Sequence, residues 1–267
     1  MKLKLTILNS IFLCSATLSG SIFAGTMGPI TTTSANHFDV IGALGVASLM
    51  AGSSYLGVTS DETDTLVQTN SNDWNTFTGQ LGIGYVFYLG SAQQYSEKAQ
   101  WFPMIEPEIN GYYLGKGTIK GDVWRFGNPA FNEMTYKMAV QSSRLMFDTA
   151  LTVVSKKNYS LYAIGGIGNA WNRIGYRDTD NNGVPCVDQY LNLNFNTHSN
   201  FVWEAGAGLS YAVNKHVSLS LEYLYTDLGS IKVSPLGNTG TITTPLIVPG
   251  RINLNSQAAL LGLHIAI

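Results

Sequence analysis

The sequence predicts an all-β protein, an eight-stranded antiparallel up-and-down transmembrane β-barrel that follows a cleaved signal peptide. Three observations support this fold class: an apolar leader, eight segments in which bulky and small or polar residues alternate, and a low charge content. Charged residues make up 12% of the chain, about half of the roughly 25% usual for soluble domains. The formal net charge of −2 offers no basic excess for nucleic acid, which excludes that partner class.

The leader has the three parts of a secretory signal. Residues 1–4 are cationic, residues 5–13 are mainly apolar, and small residues precede Ala24. This pattern predicts a signal peptide over 1–24. A membrane-anchor helix is disfavoured, because its apolar core would need about 20 residues. Beyond the leader we expect a short periplasmic segment over 25–37 and the barrel over 38–267.

Cysteine content limits the chemistry of the exported chain. Cys14 lies in the predicted leader, so Cys186 is the one thiol that remains after cleavage. A single cysteine excludes internal disulfides and cysteine-based zinc frameworks.

Eight segments show the period-2 alternation of β-strands with two different faces. The clearest is 203–213, in which Trp, Ala, Leu, Tyr and Val alternate with Glu, Gly, Ser and Ala. The predicted strands are 38–50, 81–89, 104–113, 144–153, 159–171, 203–213, 217–226 and 258–267.

The connections between these strands alternate in length. Those at 51–73, 115–133, 172–199 and 231–250 are long and polar, and those between them are shorter. In an up-and-down barrel, alternate connections lie at opposite ends. We therefore expect one end with four long external loops, which would carry any binding specificity.

The two faces of the predicted strands decide the surroundings of the barrel. Eight strands enclose room for small side chains and a few paired charges only, so the bulky apolar face must point outward. That face is stable in lipid and would aggregate in water. The predicted lumen-facing polar residues are Glu106, Glu108, Arg144, Asp148, Glu204, Glu222 and His264.

Aromatic residues cluster near the predicted strand ends, where membrane barrels carry girdles at the lipid–water boundary. The predicted girdle comprises Trp74, Trp101, Trp171, Trp203, Tyr211, Tyr223 and Tyr225.

One long stretch and two strand segments resemble a known protein family. The residues WEAGAGLSYAVNKHVSLSLEYLYTDLGS (203–230), the glycine-rich 159–171 and the alternating C-terminal strand resemble the small outer-membrane β-barrels of Gram-negative bacteria, of the OmpA-type and opacity-type surface porin family. The resemblance implies an eight-stranded barrel in the cell outer membrane, with periplasmic termini and long loops outside. The chain departs from the family in ending on Ile267, where members usually carry an aromatic residue.

The resemblance also implies partners. These are outer-membrane lipid and lipopolysaccharide, the periplasmic and outer-membrane insertion machinery, and a host or surface ligand held by the external loops. The lumen charges are interpreted as a structural plug, with a conducting path as the alternative.

Two local motifs are candidate sites. Asp178, Asp180 and Asn182, followed by Gly183, match the first half of a calcium loop, but Gln189 stands at the twelfth position, and an exposed turn is the alternative. His198 and Ser199 are adjacent and would point to opposite faces of a strand, which disfavours a hydrolase. We therefore predict no catalytic residue, no cofactor site and no metal site.

The resulting functional hypothesis is a surface or structural protein of the outer membrane, acting in adhesion, antigen display or envelope integrity, and not an enzyme. A narrow porin-like channel is the alternative. An outer-membrane lipid-modifying enzyme and a soluble secreted barrel are further rivals.

Overall fold

The structure is a computed structural model. It describes residues 36–52, 54–57, 63–70, 73–90, 92–180, 191–233, 237–239 and 248–267. The predicted signal peptide and nearly all of the predicted 25–37 segment lie outside these ranges, so both remain predictions. Among the described residues, no helix has the length and hydropathy needed to cross a membrane.

Twelve strands and two 3₁₀ turns make up the described chain. The 3₁₀ turns span Arg125–Gly127 and Pro129–Phe131. The strands are β1 (His37–Ala51), β2 (Ser54–Gly57), β3 (Thr63–Gln68), β4 (Thr76–Tyr88), β5 (Gln100–Trp101), β6 (Met104–Trp124), β7 (Asn132–Lys156), β8 (Tyr159–Asp180), β9 (Leu191–Ala212), β10 (Val217–Lys232), β11 (Gly237–Thr239) and β12 (Val248–Ala266).

Eight of these strands form a closed antiparallel ring, in the order β1, β4, β6, β7, β8, β9, β10 and β12. The ring closes where β12 pairs with β1, from Asp39 opposite Ala266 to Ala51 opposite Leu254. The predicted eight-stranded barrel is thereby confirmed. Closure leaves the ring without a free sheet edge, so each of its eight strands pairs on both sides.

The start of β1, the last residue of the chain and the tight turns lie at one end of the ring, here called the termini end. Ile267 N donates to Phe38 O there, and Ala266 N donates to His216 O in the turn between β9 and β10. The turn between β7 and β8 lies at the same end, since Ala212 N donates to Asn158 O. The connections that follow β1, β6, β8 and β10 therefore leave from the opposite end, whereas the connection over 89–103 lies at the termini end with the tight turns.

The four central strands β6 to β9 are 21 to 25 residues long, about twice their predicted length. The predicted loops 115–133 and 172–199 were therefore wrong in large part. A β-bulge between Leu114 and Gly117 explains the first error, because it shifts the alternation by one residue. The outward residues are odd-numbered before the bulge (Tyr113) and even-numbered after it (Lys120).

The prolonged strands form a second storey, here called the extension. In it, β2 and β3 form an antiparallel hairpin, with β2 pairing to β12 and β3 pairing to β6. This hairpin takes the places that β1 and β4 hold in the part of the ring nearer the termini end, here called the lower ring. The predicted loop 51–73 thus contains strand structure. The extension comprises β2, β3, β11 and residues 114–124, 132–142, 172–180, 191–200, 228–233 and 248–254.

An exposed apolar belt surrounds the lower ring. Five leucines lie side by side in register on five successive strands, and each is exposed: Leu44, Leu261, Leu221, Leu209 and Leu161. A contiguous belt of this kind has no stable partner in water and matches the outer band of a membrane barrel.

The extension has the opposite polarity. Ile119, Met138, Ile174 and Tyr176 are all buried in its interior, and the rings of Tyr136 and Tyr176 stack with centroids 5.9 Å apart. Its outer face carries exposed Lys and Arg. Polarity therefore reverses midway along single strands, which is the arrangement expected where a barrel leaves lipid and enters water.

Candidate functional site

A buried ion pair spans the centre of the lower ring. Arg144 Nη2 lies 3.2 Å from Glu204 Oε2, and the two side chains are 2% and 0% exposed. The Arg144 guanidinium also lies over the ring of Tyr112, 4.2 Å from its centroid, and Thr226 Oγ1 donates to Glu204 Oε2. A charge this deeply buried needs such partners, because desolvation is costly.

Asn110 links two further predicted lumen carboxylates. Its Nδ2 donates to Glu108 Oε2 and to Asp148 Oδ2, each at 2.7 Å. Tyr112 also donates its hydroxyl proton to Asp148 Oδ2, at 3.1 Å. All four side chains are buried, so the network fills this level of the lumen.

A third contact crosses three strands. Tyr162, Gly208 and Glu222 are in register on β8, β9 and β10, and Tyr162 donates its hydroxyl proton to Glu222 Oε1 at 2.8 Å. Gly208 leaves room for this contact, since a Cβ there would meet the far end of the Tyr162 ring and displace it. Ser220 donates a second hydrogen bond to Glu222 Oε1.

The last two predicted lumen residues lie at the termini end. His264 Nε2 is 3.7 Å from Glu222 Oε1, and its Nδ1 is 3.9 Å from Asp39 Oδ2. Glu106 lines the same open cavity as His264 and Asp39. All seven predicted side chains thus lie on one inner surface.

Several partners of these charges were not predicted from the sequence: Asp39, Asn110, Tyr112 and Tyr162. Asn110 and Tyr112 share the alternation of Glu106 and Glu108, so the face pattern was a usable signal for them. Asp39 and Tyr162 lie in glycine-rich strands whose faces the sequence left ambiguous.

The predicted girdle residues lie on the outer surface. Trp203 packs against Tyr225 and Trp74 against Tyr223, with ring centroids 5.7 and 6.4 Å apart. Tyr211 lies at the termini end against Tyr159. The remaining members, Trp101 and Trp171, are exposed as well.

The prediction that these tryptophans lie at strand ends was wrong for two of them. Trp171 and Trp203 lie well inside β8 and β9. Both strands continue into the extension, so the girdle position marks a level along the strand and not its end.

A cluster of exposed basic residues, here called the basic patch, lies on the outer face of the extension. Lys120, Lys137 and Arg177 are in register on β6, β7 and β8. Lys116 and Arg173 flank the exposed ring of Phe195, at 5.9 and 4.8 Å from its centroid. No acid among the described residues forms an ion pair with any of the five within 4.0 Å. The sequence analysis did not identify this patch.

Asp178, the first residue of the predicted calcium motif, is buried inside the extension. Its Oδ1 accepts a hydrogen bond from Leu191 N at 2.6 Å, and its Oδ2 accepts one from the Tyr176 hydroxyl at 3.3 Å. Both carboxylate oxygens are therefore used within the fold. Residues 181–190, which include Asn182, Gly183, Cys186 and Gln189, lie outside the described residues.

Burial raises the pKa of Asp178 from 3.8 to about 7, against the opposing effect of its two hydrogen bonds. Between pH 4 and pH 7 the Asp178 carboxyl therefore keeps its proton in the folded state and has lost it in the unfolded state. Stability of the extension is expected to fall as pH rises through that window. Asp178→Asn should keep the Leu191 contact and remove this loss, so its urea midpoint should differ less between pH 5 and pH 8 than that of the wild type. Asp122→Asn, on the outer face of β6, is the control, and an equal effect from both variants would contradict the assignment.

His198 and Ser199 behave as adjacent strand residues. Ser199 exchanges hydrogen bonds with Asn169 on β8, and His198 Nε2 contacts Asn196 Nδ2. They form no joint site among the described residues.

The family model described as the outer membrane protein beta-barrel domain matches residues 104–247. This match covers more than half of the chain and agrees with the closed ring and its apolar belt. The chain belongs to this family. It is an outer-membrane β-barrel protein of the Gram-negative type, and its ring strands are transmembrane strands.

Among curated proteins, the chain is similar to outer membrane protein PagN of Salmonella typhimurium, with 25% identity over 164 residues. The match spans 59% of this chain and 60% of PagN. Among solved structures it is similar to Neisserial surface protein A (13% identity, 88% and 100% of the two chains, TM-score 0.35). Others are the outer membrane protease OmpT of Escherichia coli (8%, 86% and 97%, 0.45) and Ail of Yersinia pestis (11%, 86% and 99%, 0.34).

Proposed function

We propose that this barrel is a surface-binding protein whose extension holds anionic saccharides outside the cell. The observation that carries the proposal is the basic patch, which presents five exposed cations on the outer face of a rigid sheet. Sulfate and phosphate groups are the natural partners of Lys and Arg in such an arrangement.

The arrangement of the patch supports a binding role. Lys120, Lys137 and Arg177 lie directly opposite one another across strands, and like charges in that relation destabilise a sheet. A bound polyanion would remove the repulsion. The exposed Phe195 ring between Lys116 and Arg173 adds an apolar surface against which a sugar ring can pack.

The level of the patch supports an external ligand. Arg173 follows Trp171 by two residues on the outer face of β8, so the patch begins just beyond the proposed aromatic girdle. With the termini in the periplasm, the extension projects from the cell. Anionic sugar polymers are met there in two forms, the phosphorylated core of lipopolysaccharide and sulfated or acidic polymers on other surfaces.

The lower ring serves this proposal as a scaffold. We propose that its seven lumen residues, held by Arg144, Asn110 and Tyr162, plug the barrel, and that the exposed aromatic residues anchor it at the lipid boundary. The narrow-channel alternative has less support, because the interior of the extension is mainly apolar, with few buried polar residues such as Asp64 and Asp178, where an ion path would need a continuous line of polar groups.

The test is the triple variant K120Q/K137Q/R177Q in the full barrel. Its binding to immobilised heparin and to purified lipopolysaccharide, each measured with increasing salt, is expected to weaken about tenfold or more. Loss on heparin alone would assign an external sulfated polymer, and loss on lipopolysaccharide alone would assign the bacterium's own envelope.

The matched control is K98Q/K156Q/K215Q, which removes three exposed lysines at the termini end. It changes the net charge equally and should leave both affinities within about twofold. Equal binding by the wild type and both triple variants would refute the proposal.

A further inference from the structure

The open cavity at the termini end holds a cluster of metal-ligating side chains. Asp39, Glu106 and His264 each offer a ligand atom, and these atoms lie within 4.8 Å of one another. They come from β1, β6 and β12, and all three line the cavity. The sequence analysis predicted no metal site, since these residues are 67 to 225 positions apart.

The carboxylates of this cluster are incompletely partnered. Asp39 Oδ1 and Glu106 Oε1 are shielded from solvent and accept no hydrogen bond from any described residue. The ion-pair partners of Asp39 are His37 and His264, at 3.3 and 3.9 Å, and these carry charge only when protonated. Glu106 has no ion-pair partner among the described residues. Buried carboxylates in this state are normally paired or bind a cation.

The surroundings of His264 are those of a metal ligand. A histidine that binds metal through one ring nitrogen usually donates its other N–H to a carboxylate, which fixes the ring. Glu222 Oε1 lies 3.7 Å from His264 Nε2, beyond hydrogen-bond distance, and is itself held by Tyr162 and Ser220. A small shift of the imidazole would complete this hydrogen bond. His264 Nδ1 then points toward Asp39, the direction in which the cluster lies.

We propose that Asp39, Glu106 and His264 form a site for a divalent transition metal, with zinc as the best match. One imidazole and two carboxylates suit zinc, whereas calcium and magnesium prefer oxygen ligands alone. Zinc bonds of about 2.0–2.2 Å place tetrahedral ligand atoms about 3.3–3.6 Å apart. The Asp39–His264 pair is within about 0.6 Å of that spacing, and the three ligand atoms all lie within 4.8 Å of one another. Side-chain movements of about 1 Å would therefore bring all three to zinc-bonding distance.

The site would link the first and last strands of the barrel. β1 and β12 are the first and last strands, and their pairing closes the ring. A metal bound by Asp39 and His264 would link them at the termini end, where strand separation begins most easily. Glu106 would connect β6, which lies two strands away.

The experiment uses the folded barrel in detergent, without a histidine tag and stripped with EDTA. Titration with Zn²⁺ alone, followed by calorimetry, is expected to show one ion bound per chain and a rise of about 5 °C or more in the unfolding midpoint. Co²⁺ should give a visible d–d absorption band for the same site.

Two substitutions test the ligands, and a third tests the carboxylate beside His264. His264→Gln and Asp39→Asn are each expected to weaken zinc binding at least about tenfold and to abolish the cobalt band. Glu222→Gln, which acts through His264, should weaken binding about 10- to 100-fold. His216→Gln is the control, since His216 lines the same cavity on an exposed turn and lies outside the cluster.

The variants are compared only where electrophoresis without boiling shows a folded barrel. His264→Gln and Asp39→Asn each test the site separately, so one folded ligand variant is sufficient. Binding of no zinc by the wild type, or unchanged affinity in whichever ligand variant folds, overturns the proposal. Equal losses in His216→Gln and His264→Gln also overturn it.

Discussion

Replacing Arg144 by methionine is expected to lower the free energy of unfolding by about 3–5 kcal/mol. The substitution leaves Glu204 buried with Thr226 as its remaining hydrogen-bond donor, and a buried carboxylate without a counterion is strongly destabilising. It also removes the cation–π contact with Tyr112. Urea unfolding of the barrel in detergent, followed by loss of heat-modifiable mobility, measures the effect.

The double variant R144M/E204Q provides the internal check. Removal of the stranded charge should restore at least about half of the lost stability, because a buried ion pair contributes little beyond the cost of breaking it. Lys157→Met is the matched control, since it breaks an ion pair with Glu97 whose side chains are 56% and 81% exposed. It should cost less than about 1 kcal/mol. A loss for Arg144→Met as small as that of the control would show that the Arg144–Glu204 pair does not hold the lumen together.

Leu221→Arg is expected to cost about 2–4 kcal/mol in lipid bilayers. Leu221 lies in the middle of the exposed leucine row, between Leu209 and Leu261, so an arginine there would meet acyl chains. Folding yield into vesicles, measured with and without boiling before electrophoresis, reports the effect.

Thr63→Arg, an exposed position on β3 of the extension that lies opposite Gly57, is the control and should fold as the wild type does. If both arginine variants insert equally well, the outer face of the ring contacts water and not lipid, which contradicts the prediction. Glu222, the neighbour of Leu221 in sequence, points inward. An arginine at position 221 therefore tests the outward face of β10 alone.

The sequence predicted the barrel well where alternation is uninterrupted. In the lower ring, bulky residues such as Leu219, Leu221 and Leu263 are exposed and acids such as Glu204 and Glu222 are buried. A local period of two suffices for this, because successive side chains of a strand point to opposite faces. The candidate binding surface was not predicted, since its five cations are spread over residues 116 to 177 and meet only through pairing.

Strand β8 shows where local reasoning ends. Ile167 is 54% exposed and Ile174 is 0% exposed, although both are isoleucines of one strand. Odd-numbered residues of β8 point outward throughout, so the apolar residues change from the outer face at Ile167 to the inner face at Ile174. This change interrupts the alternation and made 172–199 resemble a polar loop. A pattern read for one environment cannot represent a strand that passes from lipid into water.

The sequence by itself determined the all-β structure, the eight ring strands and the inverted polarity of the lower ring, because each follows from residues close together in the chain. Only the tertiary structure decided the height of the barrel, the replacement of β1 and β4 by β2 and β3, and the meeting of Asp39, Glu106 and His264. These depend on register and ring closure, which bring together residues that no local pattern relates.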